Sequence, residues 1–249
     1  MRLLALDIGN SRIKAGLFIG EQLEWTKLLT FTDYVSAYLN FWVDKYAIEV
    51  IGYTNVNIRQ FSRIVELGAL SGVELVELTG ASPSPIVNAY QSPETLGADR
   101  FAAAVGARKM APDSALLTID IGTAITYDYV DAENRYLGGG ISPGMNLRFK
   151  ALHQYTARLP LVKEAEEAPF VGRTTEDSIR SGVQFGLKAE VEGVIRRYQE
   201  LAHPRLTTFL TGGGAAFFAN DIQYVDYVSP NLVLEGIYHL VQYHKVPHA

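Results

Sequence analysis

The chain has 249 residues, 48% of them hydrophobic and 20% charged, which is enough to build one large domain or two half-size ones with full cores. A net charge of −5 argues against a broad nucleic-acid interface, which needs a basic face, yet leaves room for one small anion held by local donors. With no cysteine there is no disulfide frame or thiolate site, and Asp7 cuts the apolar start far short of the ~18 residues of a membrane span, so the expectation is a soluble, cytoplasmic protein with neither nucleic-acid nor membrane partners.

The first half opens with strands at about Leu3–Asp7, Ile13–Ile19 and Leu23–Phe31, joined by short turns at Gly9-Asn10 and Gly20-Glu21; this pattern reads as an antiparallel meander. Thr32-Asp33 is placed to cap a helix running to Lys45, with Val35, Leu39, Trp42, Val43 and Tyr46 on one face. The apolar run Glu49–Tyr53 reads as a buried parallel strand, followed by a helix over Arg59–Leu67 and a strand over Val73–Leu78. Three strands followed by alternating helix and strand predict a mixed sheet with crossovers. From Gly80 to Leu96 periodicity stops and Pro83, Pro85 and Pro93 intervene; a loop of this length is either a functional element or a plain surface excursion. A closely packed helix of small residues is expected from Ala98 to Met110.

The second half repeats the order. Strands are expected at Leu116–Asp120, Ala124–Val130 and Tyr136-Leu137, and the Gly138–Leu147 segment turns into a helix through His153. An exposed connection that includes the acidic segment Lys163–Glu167 leads to a long amphipathic helix, Thr175–Leu201, striped by Ile179, Val183, Leu187, Val191, Val194, Ile195 and Tyr198. Then come a strand at Leu206–Thr211, the turn TGGGA, a short helix, a strand near Tyr224–Tyr227 and a helix from Pro230 to His244. The expected division is 1–112 and 113–249.

The two halves are tied by one repeated phrase. LLALDIGNSRIK and LLTIDIGTAIT superpose with Asp7 over Asp120, 113 residues later, sharing Leu-Leu, Asp, Ile and Gly in register. Glycine after a strand-end aspartate lets backbone approach a ligand and aim amides at it, so two such turns suit a polyphosphate. A carboxylate and a phosphate about 4 Å apart repel by roughly 4 kcal/mol at an effective dielectric of ~20, so cations must lie between them, and a hard divalent ion such as Mg²⁺ fits. For either aspartate alone the plain alternative is a turn residue; the repetition favours function. Lys14 could neutralise phosphate or simply be a solvated strand residue. Ser11 and Thr123 offer hydroxyls at the turns. TGGGA (Gly212 to Gly214) is neither a dinucleotide-binding nor a P-loop signature, and fits a turn that admits adenosine. Asp99 and Arg100 form the best acid/base pair, an Asp to take a hydroxyl proton and an Arg to hold phosphate or substrate; the competing reading is a helix cap with a surface charge. The five histidines show no metal-ligand spacing. Tyr90 stands apart from the other tyrosines by lying in the proline-rich loop.

With these segments in view the chain resembles the type III pantothenate kinases, a branch of the actin/hexokinase/heat-shock-ATPase superfamily. The resemblance runs through DIGNSRIK (Asp7–Lys14), GADR (Gly97–Arg100), DIGTAIT (Asp120–Thr126), LGGGISPG (Leu137–Gly144), TARLP (Thr156–Pro160), GRTTEDSIRSG (Gly172–Gly182) and TGGGA (Thr211–Ala215), with Ser11 where Thr is usual. It implies an α/β fold of duplicated ribonuclease-H-like (actin-like ATPase) domains, each with a mixed five-stranded sheet, and an interdomain cleft. It implies transfer of the γ-phosphoryl group of ATP to pantothenate in a homodimer. Asp99 would be the catalytic base. Asp7, Ile8, Gly9, Asn10, Ser11, Arg12, Ile13 and Lys14 would wrap the ATP phosphates, Asp7 organising Mg²⁺ through water, and Thr123 would contact ATP. Asp120 would ligate a monovalent cation, K⁺ or NH₄⁺. Tyr90, Gly97, Ala98, Asp99, Arg100 and Thr175 would line the pantothenate site, Thr175 serving the partner's pocket. Two rivals are a non-catalytic transcription accessory factor on the same scaffold, disfavoured by retention of Asp7, Asp99 and Asp120, and a sugar or acetate kinase, disfavoured by GADR and the short length.

Overall fold

The computed structural model describes residues 1–30, 35–56, 72–202, 205–218 and 221–246. The expected cap at Thr32-Asp33 and helix at Arg59–Leu67 lie outside them. The chain forms two compact units: residues 1–112 with 135–137 and 231–249, and residues 113–134 with 138–230.

In the first unit β1 (Arg2–Ile8), β2 (Arg12–Ile19) and β3 (Gln22–Thr30) form the expected meander, then α1 (Val35–Tyr46), β4 (Val50–Asn55) and β5 (Glu74–Leu78) follow. The sheet order is β3-β2-β1-β4-β5. β1 is central, antiparallel to β2 and parallel to β4, which explains why Leu3, Leu4, Ala5 and Leu6 are all fully buried. α1 covers this sheet with Val35, Leu39, Trp42 and Val43; Tyr46 stays partly exposed and rests on Trp25.

The proline-rich loop carries more structure than its sequence announces. Val87–Asn88 forms a short strand, β6, and Pro93–Thr95 a 3-10 turn, before α2 (Ala98–Met110). Side chains substitute for regular pairing: Ser84 both accepts from the amide and donates to the carbonyl of Ile86, and Asn88 reaches back to the carbonyl of Gly80.

The second unit contains β7 (Ala115–Ile121), β8 (Ala124–Val130), β9 (Arg135–Pro143) from Gly138 onward, α3 (Met145–Gln154), α4 (Thr175–Leu201), β10 (Leu206–Thr211), α5 (Ala215–Phe218) and β11 (Tyr227–Val228). The strand order β9-β8-β7-β10-β11 reproduces the first sheet element for element. β6 pairs in parallel with Arg135 and Tyr136 at the start of β9, so this sheet has six strands rather than the expected five. β9 is also longer than Tyr136-Leu137, because Gly138–Gly140 continue the strand instead of turning. A Cβ at Gly139 would lie 1.8 Å from the Tyr127 carbonyl oxygen, so glycine is what allows β9 to close on β8. α4 buries Ile179, Val183, Leu187, Val191 and Ile195, with Val194 and Tyr198 packed at the margin of the same core.

The last helix, α6 (Leu232–Lys245), belongs to the first unit, not to a domain spanning 113–249. It lies on α2 because both helices are notched: a Cβ at Gly236 would meet the Ala102 carbonyl oxygen at 1.8 Å, and one at Gly106 would meet that of Leu232 at 2.5 Å. Gly236→Ala should therefore lower stability by about 1–3 kcal/mol in urea unfolding. Gly186→Ala, on α4 with no neighbour within 4 Å of the added Cβ, should be neutral or raise stability by up to ~1 kcal/mol.

Candidate active site

Asp7 ends the apolar run of β1, where the strand has nothing left to pack and the chain must turn. Ile8 and Ile13 face each other beneath the turn and are buried, while Asn10, Ser11 and Arg12 are exposed at its tip. The Gly9 amide donates to the Arg12 carbonyl at 3.0 Å and closes the loop. Across the sheet Asp7 is flanked by Lys14 on β2 and Thr54 on β4. Thr54 Oγ1 donates to Asp7 Oδ1 at 3.1 Å.

Asp99 stands in the first turn of α2, after Gly97. A Cβ at Gly97 would come within 2.6 Å of Asp99 Oδ1, so this glycine leaves the space the carboxylate occupies. Asp99 Oδ1 accepts from the Arg100 amide at 2.9 Å. Arg100 is buried, which removes the surface-charge reading of the Asp-Arg pair. Ala98 is buried as well. Tyr90 is fixed by its own amide, which donates to Asn88 Oδ1 at 2.9 Å, and its ring meets Tyr136 edge-on at 6.1 Å. Tyr136 in turn meets Phe101, two residues beyond Asp99, at 5.5 Å. The loop tyrosine and the start of α2 are thus linked through one aromatic row.

Asp7 feels the charge of Asp99. Burial, then the charge of Asp99, push the pKa of Asp7 up to about 7, against the pull of the Thr54 hydrogen bond and Lys14. Burial raises the pKa of Asp99 too, opposed by the amide and guanidinium of Arg100.

The second unit repeats the arrangement with a shorter turn. Asp120 ends β7 and pairs with Thr126 on β8 and Thr211 on β10, matching the Lys14 and Thr54 positions. The Gly122 amide donates to the Ala124 carbonyl at 2.9 Å, and Thr123, exposed at the tip, accepts the Gly144 amide at 3.0 Å. TGGGA seats this hairpin. Gly212 has φ +91°, and a Cβ there would lie 2.3 Å from Asp120 Oδ1; the Gly214 amide donates to the Ile121 carbonyl at 2.8 Å. Thr175 is the exposed first residue of α4, on a different element from Asp120 and Thr123; Thr174 caps that helix by accepting the Asp177 amide at 3.1 Å.

No cluster of three or more His, Cys, Asp or Glu able to cage a metal occurs among the described residues. Single carboxylates at glycine turns instead suit ions shared with a phosphate ligand, as Mg²⁺ commonly is. At Asp120 the backbone of Gly212 and Gly122 leaves the carboxylate in a cradle that side chains would fill, which fits a cation with hard oxygen ligands. Thr54, Thr211, Asn88 and the Asp120-facing role of Gly212 were not singled out from the sequence. A threonine ending each strand parallel to an Asp-bearing strand is the signal that was available.

Two mixed sheets of one topology, each with an aspartate over a glycine turn at the end of its central strand, define the actin-like ATPase fold of the hexokinase-type kinases. A ROK family glucokinase from Streptomyces griseus shares the fold at TM-score 0.52 and 12% identity, with 95% of this chain and 98% of that one covered. So does a Campylobacter jejuni protein described as a Baf family transcriptional activator, at TM-score 0.62 and 21% identity over 96% and 97% of the chains. Residues 3–197 match the type III pantothenate kinase family. Type III pantothenate kinases of Phocaeicola vulgatus and Bacteroides fragilis are 35% and 36% identical, covering 96% and 97% of this chain and 98% of each relative. The chain belongs to the type III pantothenate kinase family.

The raised pKa of Asp7 has a stability consequence. Its folded value of about 7 exceeds the unbound value of 3.8, so the folded state holds a proton that the unfolded state releases, and stability falls as pH rises between those values. In EDTA-treated protein, Asp7→Asn should match the parent near pH 4 and melt about 4 °C or more above it at pH 8, by differential scanning fluorimetry.

Proposed function

We propose that each aspartate hairpin is a nucleotide-binding element and that Asp99 is the catalytic base. The chain is an ATP-dependent pantothenate kinase, forming 4'-phosphopantothenate in the first step of coenzyme A biosynthesis. Phosphoryl transfer of this kind is mostly positioning and charge stabilisation. In this reading the turn from Asp7 to Lys14 holds the phosphates, Lys14 offsetting their charge, and Thr123 contacts the nucleotide from the second unit. Asp7 would hold Mg²⁺ through water, and the ion, when bound, would neutralise charge on the β- and γ-phosphates. Asp120 would hold K⁺ or NH₄⁺.

Asp99 accepts the proton of the pantothenate hydroxyl as that oxygen attacks. Its burial serves the task, since a carboxylate raised above its ordinary pKa is a stronger base. Arg100, Tyr90, Gly97 and Ala98 shape the pantothenate pocket, and in a homodimer Thr175 contributes to the partner's pocket. No helix among the described residues is long and apolar enough to cross a membrane, and a cytoplasmic enzyme is the reading that suits coenzyme A synthesis.

The observation that carries the assignment is the seating of Asp99 at the start of α2, held by the Arg100 amide beside a buried arginine, in the same unit as Asp7, whose carboxyl feels its charge. A transcription accessory role draws only on fold likeness, and the retained carboxylates favour the kinase. Asp99→Asn should lower turnover ~10²–10⁴-fold with the fold intact by circular dichroism, in an ADP-release assay with pantothenate, glucose and acetate in parallel. Near-normal turnover would remove Asp99 from the chemistry. Replacing K⁺ by Na⁺ throughout should abolish most activity of the parent enzyme; undiminished turnover in sodium alone would remove the monovalent-cation role of Asp120.

A further inference from the structure

We propose that Thr54 is a positioning residue for the phosphate-binding carboxylate, its hydroxyl fixing the orientation of Asp7. The proposal rests on the kinase reading and names a residue outside the segments that carry the family resemblance. Thr54 is fully buried near the end of β4, directly in register with Asp7 on the parallel strand β1. Its Oγ1 donates to Asp7 Oδ1 at 3.1 Å. A β-branched side chain on a strand has few χ1 choices, so the hydroxyl is held in place before any ligand arrives. Burial also denies it water as a substitute partner.

The geometry explains what the bond would do. A strand-end aspartate can swing about χ1 and χ2, and a carboxylate that organises a hydrated cation must present one oxygen in a constant direction. Engaging Oδ1 from the neighbouring strand fixes the plane of the carboxylate and thereby the aim of Oδ2. Lys14, on the opposite side in β2, supplies charge but a long flexible stem, and cannot fix orientation as a hydroxyl on a rigid strand does.

The duplication supplies an independent argument. In the second unit the strand parallel to β7 is β10, and the residue in register with Asp120 is Thr211, with only 1% of its surface exposed. The two strands β4 and β10 share little else in sequence, GYTN against FLTG around these threonines. A buried threonine beside each strand-end aspartate is a match at the one position where the carboxylate needs a neighbour.

The test compares Thr54→Val, which keeps the shape and removes the hydroxyl, with Thr54→Ser, which keeps the hydroxyl. Two readouts are used: steady-state kinetics with Mg²⁺ and pantothenate varied separately, and calorimetric titration of the Mg²⁺ complex of AMPPNP without pantothenate. Thr54→Val should raise the half-saturating Mg²⁺ concentration and weaken AMPPNP binding roughly tenfold, with pantothenate KM unchanged. Thr54→Ser should recover most of both. Should Thr54→Val fail to fold, Thr54→Ala carries the same comparison. Parent-like Mg²⁺ dependence and AMPPNP affinity in the folded hydroxyl-free variant would overturn the proposal, as would a serine variant as impaired as the valine one. Failure of the parent to phosphorylate pantothenate would instead count against the kinase reading, while the calorimetric arm still decides the role of Thr54.

Discussion

A carboxylate set at the end of a buried apolar strand is the constraint from which the rest of this structure follows. β1 is enclosed on both sides by other strands, and Leu3, Leu4, Ala5 and Leu6 are wholly buried. Asp7 therefore enters a setting that disfavours its charge, beside a second acidic group, Asp99. Partial compensation comes from a hydroxyl on one neighbouring strand and an ammonium on the other. Burial and the neighbouring carboxyl outweigh that compensation, so the carboxyl stays well above its ordinary pKa.

A second unit repeats that device, with Asp120 flanked by Thr126 and Thr211. The second hairpin is not a copy in detail. Its turn is one residue shorter, Lys14 is replaced in register by Thr126, and Asp120 is packed against the backbone of Gly212. The doubled topology thus sets its two aspartates in different surroundings.

Much of this was legible in the chain itself. The meander, the crossover strands and the stripe of α4 were set by hydrophobic period, and the Asp-Ile-Gly repeat marked both hairpins. What escaped was whatever depends on contact across distant sequence. Gly138–Gly140 read as a turn because glycine is a turn former, whereas their role is to let β9 press on β8. The final helix was assigned by chain order, yet Gly236 and Gly106 dock it on α2. Thr54 takes its meaning from strand register, which sets it beside Asp7. Asp99 was legible as a helix-start residue, but its burial and its coupling to Asp7 required coordinates.

The central claim is that each hairpin is a nucleotide-binding element. Hydrogen–deuterium exchange with and without the Mg²⁺ complex of AMPPNP addresses it directly, because backbone amides at both turns report independently. The account expects slowed exchange in Asp7–Lys14 and in Asp120–Thr126 together, saturating at the same nucleotide concentration. Protection confined to one hairpin, with the other exchanging as in the free protein, would contradict it.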